Sequence, residues 1–416
     1  MTLFPMSELS TLKNDPRLPR CGRCGLLSGC KSPRMPVTGE GKREVLVVAE
    51  APGEEEDKRN TQLIGPSGRT LRKHLRKVGV DLDRDCWKTN AVICCPHRNP
   101  TTEEVTACRP NLLKTIRELN PKMILLLGGQ AIASLIGWML REEPGAVGRW
   151  AGWRIPSQRL NTWICPTWHP SYVMRAENAG GQAERNRQQM QVVSVMFDRH
   201  LRRAFELRGR PWRKLPEFAK QVKVEILAGE AAKLIRRWFC RSEQPVAFDF
   251  ETDMLKPDSE QSKIVSCAMS EGDHTLAFLV VRETREAVVE FLRSRVPKVA
   301  HNAKFEDRWA RRVLGVSVRS WHWDTMQAAH VLDNRRGVSG LKFQAFVQLG
   351  QEPYNETVAP FLEGSSNVPN RVTQADAHDL LLYNGLDALL TWSLYRKQRK
   401  DLDAICTERS IGGSSV

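Results

Sequence analysis

Val246-Ala247-Phe248-Asp249-Phe250-Glu251 is the stretch on which the fold of the C-terminal half turns. Apolar residues lead into two carboxylates separated by one aromatic, the pattern of a buried strand with Asp249 and Glu251 on one face. Working outward, a strand–helix pair starts near Val222, and further strands are expected over 263–269, 275–281 and 298–300. Helical patterns then run to about Leu402. The 298–300 strand leads into His301-Asn302-Ala303-Lys304-Phe305-Glu306, with Asp307 following. Tyr383 and Asp387 are four apart in a helical segment and so share a face. Carboxylates delivered to one point from separate elements make chemical sense if they hold hard divalent cations. Two Mg²⁺ or Mn²⁺ ions about 4 Å apart activate a water and stabilise a leaving oxygen in phosphoryl displacement. A nearby tyrosine hydroxyl orients that water.

The N-terminal half reads differently. Val45-Leu46-Val47-Val48-Ala49-Glu50 is a buried strand ending in a Pro-Gly turn, and Ser67 caps a helix with Leu71, Leu75 and Val78 on its apolar face. Met123 to Leu127 is a second apolar run, ending in Gly128-Gly129; a third strand, 162–165, leads into Pro166-Thr167-Trp168-His169-Pro170. Apolar strands alternating with amphipathic helices predict an α/β domain with a parallel sheet, whose strand C-termini bind ligands. A basic helical stretch over 182–207 is broken by Arg208-Gly209-Arg210-Pro211. The expected organisation is a first domain over 1–207, a linker over 208–221, a second domain over 222–402 and a disordered tail over 403–416.

Lys plus Arg number 63 against 48 acidic residues, a formal charge of +15 that favours a polyanionic partner. Arg69, Arg72, Lys73, Arg76 and Lys77 form one basic stretch suited to phosphate contacts. No apolar run approaches membrane-spanning length and the start is polar, so the expected compartment is the cytoplasm. Eleven cysteines in such a compartment argue for metal or cluster ligation over disulfides, and seven of them lie before residue 110. Cys21-x-x-Cys24 with Cys94 and Cys108 offers four thiolates for iron–sulfur or zinc; Cys30 and Cys95 compete for the same assignment.

Asp249-x-Glu251, the Asn302-x-Lys304-Phe305-Glu306 segment, Trp323-Asp324-Thr325-Met326, Leu341-Lys342 and Tyr383-x-x-x-Asp387 resemble, in order and spacing, the tyrosine subclass of the DEDD exonucleases. The proofreading domain of family A DNA polymerases is the nearest likeness. The resemblance implies a ribonuclease-H-like domain with a mixed sheet, metal ligands Asp249, Glu251 and Asp387, and Tyr383 as water-positioning residue. The family has Asp where this chain has Glu306; Glu306 is the expected ligand there, with Asp307 second.

Glu50-Ala51-Pro52-Gly53, Gly65-Pro66-Ser67-Gly68, Thr89-Asn90, Asn99-Pro100-Thr101, Leu127-Gly128 and His169-Pro170-Ser171 resemble family 4 and 5 uracil-DNA glycosylases over about 18–176. That likeness implies a 4Fe–4S cluster on Cys21, Cys24, Cys94 and Cys108. It also implies Glu50 beside the hydrolytic water, Asn90 bonded to a flipped base, and His169 stabilising the developing charge on the uracil oxygen. Leu63 stands where the family has an aromatic that stacks on uracil, and Ala49 replaces a glycine.

The fusion is similar to the front portion of certain phage family A polymerases. Three functions follow as expectations. One is a 3′→5′ exonuclease acting on single-stranded or frayed 3′ DNA ends as proofreading subunit for a separate polymerase. The second is a repair enzyme that excises uracil and trims ends, and the third a catalytically weak DNA-binding adaptor.

Overall fold

The structure is a computed structural model that describes residues 23–178, 184–258, 260, 262–364 and 368–412. It divides into two compact units, Met1–Leu215 and Pro216–Val416.

The first unit is a five-stranded sheet in the order β2-β1-β3-β5-β4. Its strands are β1 (Val45–Ala49), β2 (Cys86–Asn90), β3 (Met123–Leu127), β4 (Ile155–Ser157) and β5 (Thr162–Thr167). All pairings are parallel except β4 with β5. β1 and β3 are buried at every residue, as strands covered on both faces must be. Helices α1 (Glu54–Arg59), α2 (Pro66–Arg76), α3 (Thr102–Leu119), α4 (Gly129–Leu140), α5 (Pro170–Asn178) and α6 (Glu184–Phe205) surround it. Leu71 and Leu75 of α2 and Phe197 and Leu201 of α6 meet Val45, Val47 and Leu125 in one apolar core. Three guanidinium bonds from Arg210 to the carbonyls of Asn120, Pro121 and Asn161 tie the chain after α6 to this unit.

β2 and β4 escape a reading by apolar pattern. β2 is Cys-Trp-Lys-Thr-Asn, and its Lys88 is buried because it forms an ion pair with Asp83. The basic stretch on α2 also differs from expectation. Arg69 pairs with Glu55 (3.1 Å), Arg72 with Asp83 (2.8 Å), Lys73 with Glu177 (2.8 Å) and Lys77 with Asp198 (2.7 Å). These cations hold α2 against its surroundings before any phosphate is considered.

The second unit is a mixed six-stranded sheet in the order β11-β10-β7-β8-β9-β6. The strands are β6 (Val222–Glu225), β7 (Val246–Thr252), β8 (Ile264–Ser270), β9 (Thr275–Leu279), β10 (Lys298–Ala300) and β11 (Trp321–Asp324). β7–β8 and β8–β9 are antiparallel; the rest are parallel. The helices that matter below are α7 (Ala228–Leu234), α8 (Arg282–Arg293), α9 (Ala303–Trp309), α10 (Thr325–Leu332), α11 (Leu341–Leu349) and α12 (Ala377–Gly412). Period-two alternation on β7 divides the work of the sheet. Phe248 and Phe250 join the core with Phe291 and Leu292 of α8, while Asp249 and Glu251 project from the opposite face. α12 runs on to Gly412, so the structureless tail expected from residue 403 is corrected to helix as far as the described residues extend.

Candidate functional sites

In the second unit, β7 supplies Asp249 and Glu251 and the buried face of α12 supplies Asp387. A carboxylate oxygen of each lies within 4.8 Å of the others. Asn384, one turn before Asp387, donates from Nδ2 to Asp249 Oδ2 at 2.7 Å and accepts from the Ser266 hydroxyl at 2.9 Å. Strand and helix are thereby fixed relative to one another. Glu306, on the first turn of α9, is buried, stands outside the three-carboxylate group, and has no hydrogen-bond partner at Oε2. Its strongest charged neighbour is Asp249. Asp307 is already engaged: it pairs with Arg311 at 2.6 Å and accepts the Val318 N–H at 3.3 Å.

Burial pushes Asp249, Glu251 and Glu306 well above the usual carboxylate range, and repulsion among the carboxylates adds to the rise. Such a set is strained as anions and relieved by positive charge. Lys342 of α11 supplies one unit, paired with Asp387 and lying over the rings of Tyr354 and Tyr383 at 4.2 and 4.3 Å. The Tyr354 hydroxyl also donates to Asp387. One lysine against four carboxylates leaves room for divalent cations, and a buried Glu306 oxygen without a partner, close enough to feel the charge of Asp249, fits an oxygen-ligated ion. Tyr383 is buried beside Asp387, which with burial holds its phenol protonated.

Asp324, at the end of β11, positions the Glu306 segment. Its carboxylate accepts four backbone N–H groups: Asn302 (3.2 Å) and Ala303 (2.9 Å) at the start of α9, and Met326 (2.9 Å) and Gln327 (3.2 Å) in α10. Asn302 is left-handed at φ 77°, and this bond set holds the turn there.

In the first unit, Glu50, Asn90 and His169 follow or end β1, β2 and β5, and the Ala49–Asn90 and Leu127–Thr167 registers bring those ends level. Gly128 has φ 87°, and a Cβ there would lie 2.9 Å from that of His169, so glycine is required on both counts. His169 Nδ1 lies 2.8 Å from the Ser171 hydroxyl and 3.3 Å from the Ser171 N–H, and these contacts orient the ring. Burial, then Arg175, pushes His169 down to about 4, so the ring is a neutral donor at physiological pH. Burial raises Glu50, with Arg175 opposing, and makes it a better proton acceptor.

Asn90 is buried and donates from Nδ2 to Gln62 Oε1, while its own Oδ1 has no partner. Gln62 donates in turn to the Pro36 carbonyl at 3.2 Å. Leu63 has φ 56° and its side chain lies in the apolar core with Leu71 and Leu75. The residue that reaches Asn90 is therefore Gln62, which the sequence did not single out.

Cys21 lies outside the described residues. Cys94 accepts the Arg34 N–H at 3.3 Å, and Cys108 accepts the Ile93 N–H at 3.4 Å and the Asn111 amide at 3.6 Å. Burial pushes Cys94 up to about 12, with Cys30 and Cys108 adding to the rise. N–H groups directed at crowded sulfurs are what thiolates bound to a cationic centre require. Cys24 is half-buried. Cys95 belongs to another group, with Asp57 and His97; the Asp57 carboxylate accepts the Lys31 and Ser32 N–H groups and anchors that loop.

Comparisons with known proteins assign both units. Residues 36–192 match the uracil DNA glycosylase superfamily, and residues 230–403 match the 3′-5′ exonuclease family of the A-type DNA polymerases. Type-4 uracil-DNA glycosylases of Pyrobaculum aerophilum and Thermotoga maritima are 33% and 31% identical, over 40% and 42% of this chain and 85% and 87% of theirs. A DNA polymerase of Bacillus phage SP01 is 24% identical over 72% of this chain and 34% of its own. Among solved structures, Brucella melitensis NrnC with bound Mg²⁺ aligns over 46% of this chain and 85% of its own, with a TM-score of 0.34 and 16% identity. The chain belongs to the uracil-DNA glycosylase superfamily through its first unit, and its second unit is a 3′→5′ exonuclease domain. No helix of the described residues is long and apolar enough to cross a membrane.

Proposed function

We propose that the chain is a divalent-metal-dependent 3′→5′ DNA exonuclease that serves as proofreading subunit for a separate polymerase, with its glycosylase-superfamily unit contributing DNA binding. The observation that carries this reading is the convergence of Asp249, Glu251 and Asp387 within 4.8 Å, with a buried Glu306, whose Oε2 has no partner, near Asp249. Asp249, Glu251, Glu306 and Asp387 would hold two Mg²⁺ or Mn²⁺ ions, which supply an activated water and charge stabilisation for the leaving 3′ oxygen. Tyr383, held protonated, would orient that water through a hydrogen bond from its hydroxyl. Lys342 steadies both tyrosine rings and Asp387. Asn384 keeps the Asp249 carboxylate turned toward Asp387. The polymerase partner rests on the likeness to the phage DNA polymerase, which this chain covers only in part.

A second reading, uracil excision coupled to end trimming, is favoured by a neutral His169 and a raised Glu50 just beyond the ends of β5 and β1. Against it stands Gln62, whose amide occupies the Asn90 group a flipped base would use. In the first unit, Cys21, Cys24, Cys94 and Cys108 would hold a 4Fe–4S cluster, a structural and electrostatic element.

Asp249→Ala with Glu251→Ala should abolish Mg²⁺-dependent digestion of 5′-labelled single strands from the 3′ end. Retained digestion would falsify the site. Abasic-site formation from a uracil-containing oligonucleotide, lost on Glu50→Ala or His169→Ala, would instead establish the second reading.

A further inference from the structure

The second unit contains a cavity of about 700 Å³ that neither site uses. Lys263, Arg282, Arg285 and Arg312 line it, and Glu260 is the acid among its lining residues. Its position follows from the ladder. Ile264, in the cavity wall, is the β8 partner of Thr252, the residue after Glu251 on β7. The cavity therefore lies at the end of the sheet where the exonuclease carboxylates emerge, on the α8 face of the sheet rather than the carboxylate face.

Cations outnumber acids in this cavity. α8 starts at Arg282, its first turn capped by Thr284, which accepts the Val281 N–H at 2.9 Å, and carrying Glu283 as its acid. That end of a helix carries the positive pole of the backbone dipole, and Arg282 and Arg285 line the cavity beside it. Arg285 donates to the Val313 carbonyl at 2.6 Å, which fixes its guanidinium across the space. Lys263, Arg282 and Arg312 are exposed and form no ion pair among the described residues, unlike the paired cations on α2. Like charges placed together at a positive helix end make a site that favours an anion. The volume is on the scale that holds a nucleotide.

We propose that this cavity binds phosphodiester groups of the DNA strand whose 3′ end is being digested, as a second anchor on that strand. The choice of strand rests on the exonuclease reading above; the anion site does not. Phosphate is common to a strand, a released mononucleotide and the free ion, so the test must separate them.

On the full wild-type chain, phenylglyoxal labelling read by mass spectrometry measures access to Arg282 and Arg312. Protection by (dT)20, with none from dTMP or inorganic phosphate at equal phosphate concentration, is expected. Protection by dTMP or phosphate to the same extent overturns the strand assignment, and no protection by any of them overturns the site. This arm needs no turnover, so it decides the cavity even if the chain digests nothing. Arg282→Glu with Arg312→Glu should raise KM for (dT)20 about tenfold. It should also lower the salt slope by roughly 1.4, at about 0.7 per lost single-strand phosphate contact. A lowered kcat at unchanged KM would place the arginines in the chemistry and overturn the anchor.

Discussion

Glu306 and Asp307 occupy adjacent positions and meet opposite surroundings. Sequence alone leaves either as the ligand, because one residue along a helix turns a side chain by about 100° and spacing does not say which face is buried. The neighbours decide: Asp307 has a guanidinium and a backbone N–H, while Glu306 has an oxygen with nothing. Glu306→Gln should therefore cost at least about a hundredfold in kcat with Mg²⁺, some 3 kcal/mol of transition-state stabilisation. Asp307→Asn should leave kcat within about threefold while lowering the melting temperature by a few degrees. Steady-state digestion and thermal melting of the two variants read both effects, and the reverse pattern would make Asp307 the ligand.

His169 gives a pH prediction. Its folded-state value of about 4 lies below the ordinary 6.5, so folding favours the neutral ring. The stability it contributes is present above about pH 6.5 and is lost as the pH falls from there toward 4. His169→Gln should accordingly flatten the decline in melting temperature between pH 7 and pH 4.5. The imidazole Cε1–H resonance of His169 in the wild-type chain should stay at its neutral position from pH 5.5 to pH 8. A midpoint near 6.5 would remove the neutral-donor assignment.

Among the elements, legibility followed burial on both faces. β1 and β3 are uninterrupted apolar runs, and β7 declares itself by alternating Phe with carboxylates. β11 does not: Trp-His-Trp-Asp is a four-residue edge strand whose pairing shifts register against β10. Its contribution to the site is tertiary, since Asp324 gathers N–H groups from the start of α9 and from α10. No local pattern announces a carboxylate that spans two elements. Gln62 was hidden for the same reason, its partner Asn90 lying 28 residues away. Tyr383 and Asp387, by contrast, were found from the turn of one helix. Asp324→Ala should destabilise the second unit by about 2 kcal/mol, the upper range for a lost helix cap. It should also lower kcat, because the left-handed turn at Asn302 would release Glu306. Asp324→Asn keeps the acceptor oxygens only in part and should fall between wild type and alanine in both melting temperature and kcat. Full activity in Asp324→Ala would separate the cap from the site.

At the scale of the whole chain, each unit holds its own core and its own cluster of chemistry-bearing side chains. The order of motifs made that division readable, since the two groups of expected site residues follow one another along the chain without interleaving. The pairing of α2's cations was unreadable, because their acids come from segments up to 121 positions away. Two cores imply two unfolding events, each tied to its own ligands. Calorimetry of the full chain should show two transitions, and Mn²⁺ should raise one of them while leaving the other in place. Asp249→Asn should remove that Mn²⁺ shift and the 3′→5′ digestion together. His169→Ala should move only the other transition and leave digestion within about twofold, because each site is built from residues of its own unit. A single cooperative transition, or loss of digestion in His169→Ala, would mean that the glycosylase-like unit takes part in the exonuclease chemistry.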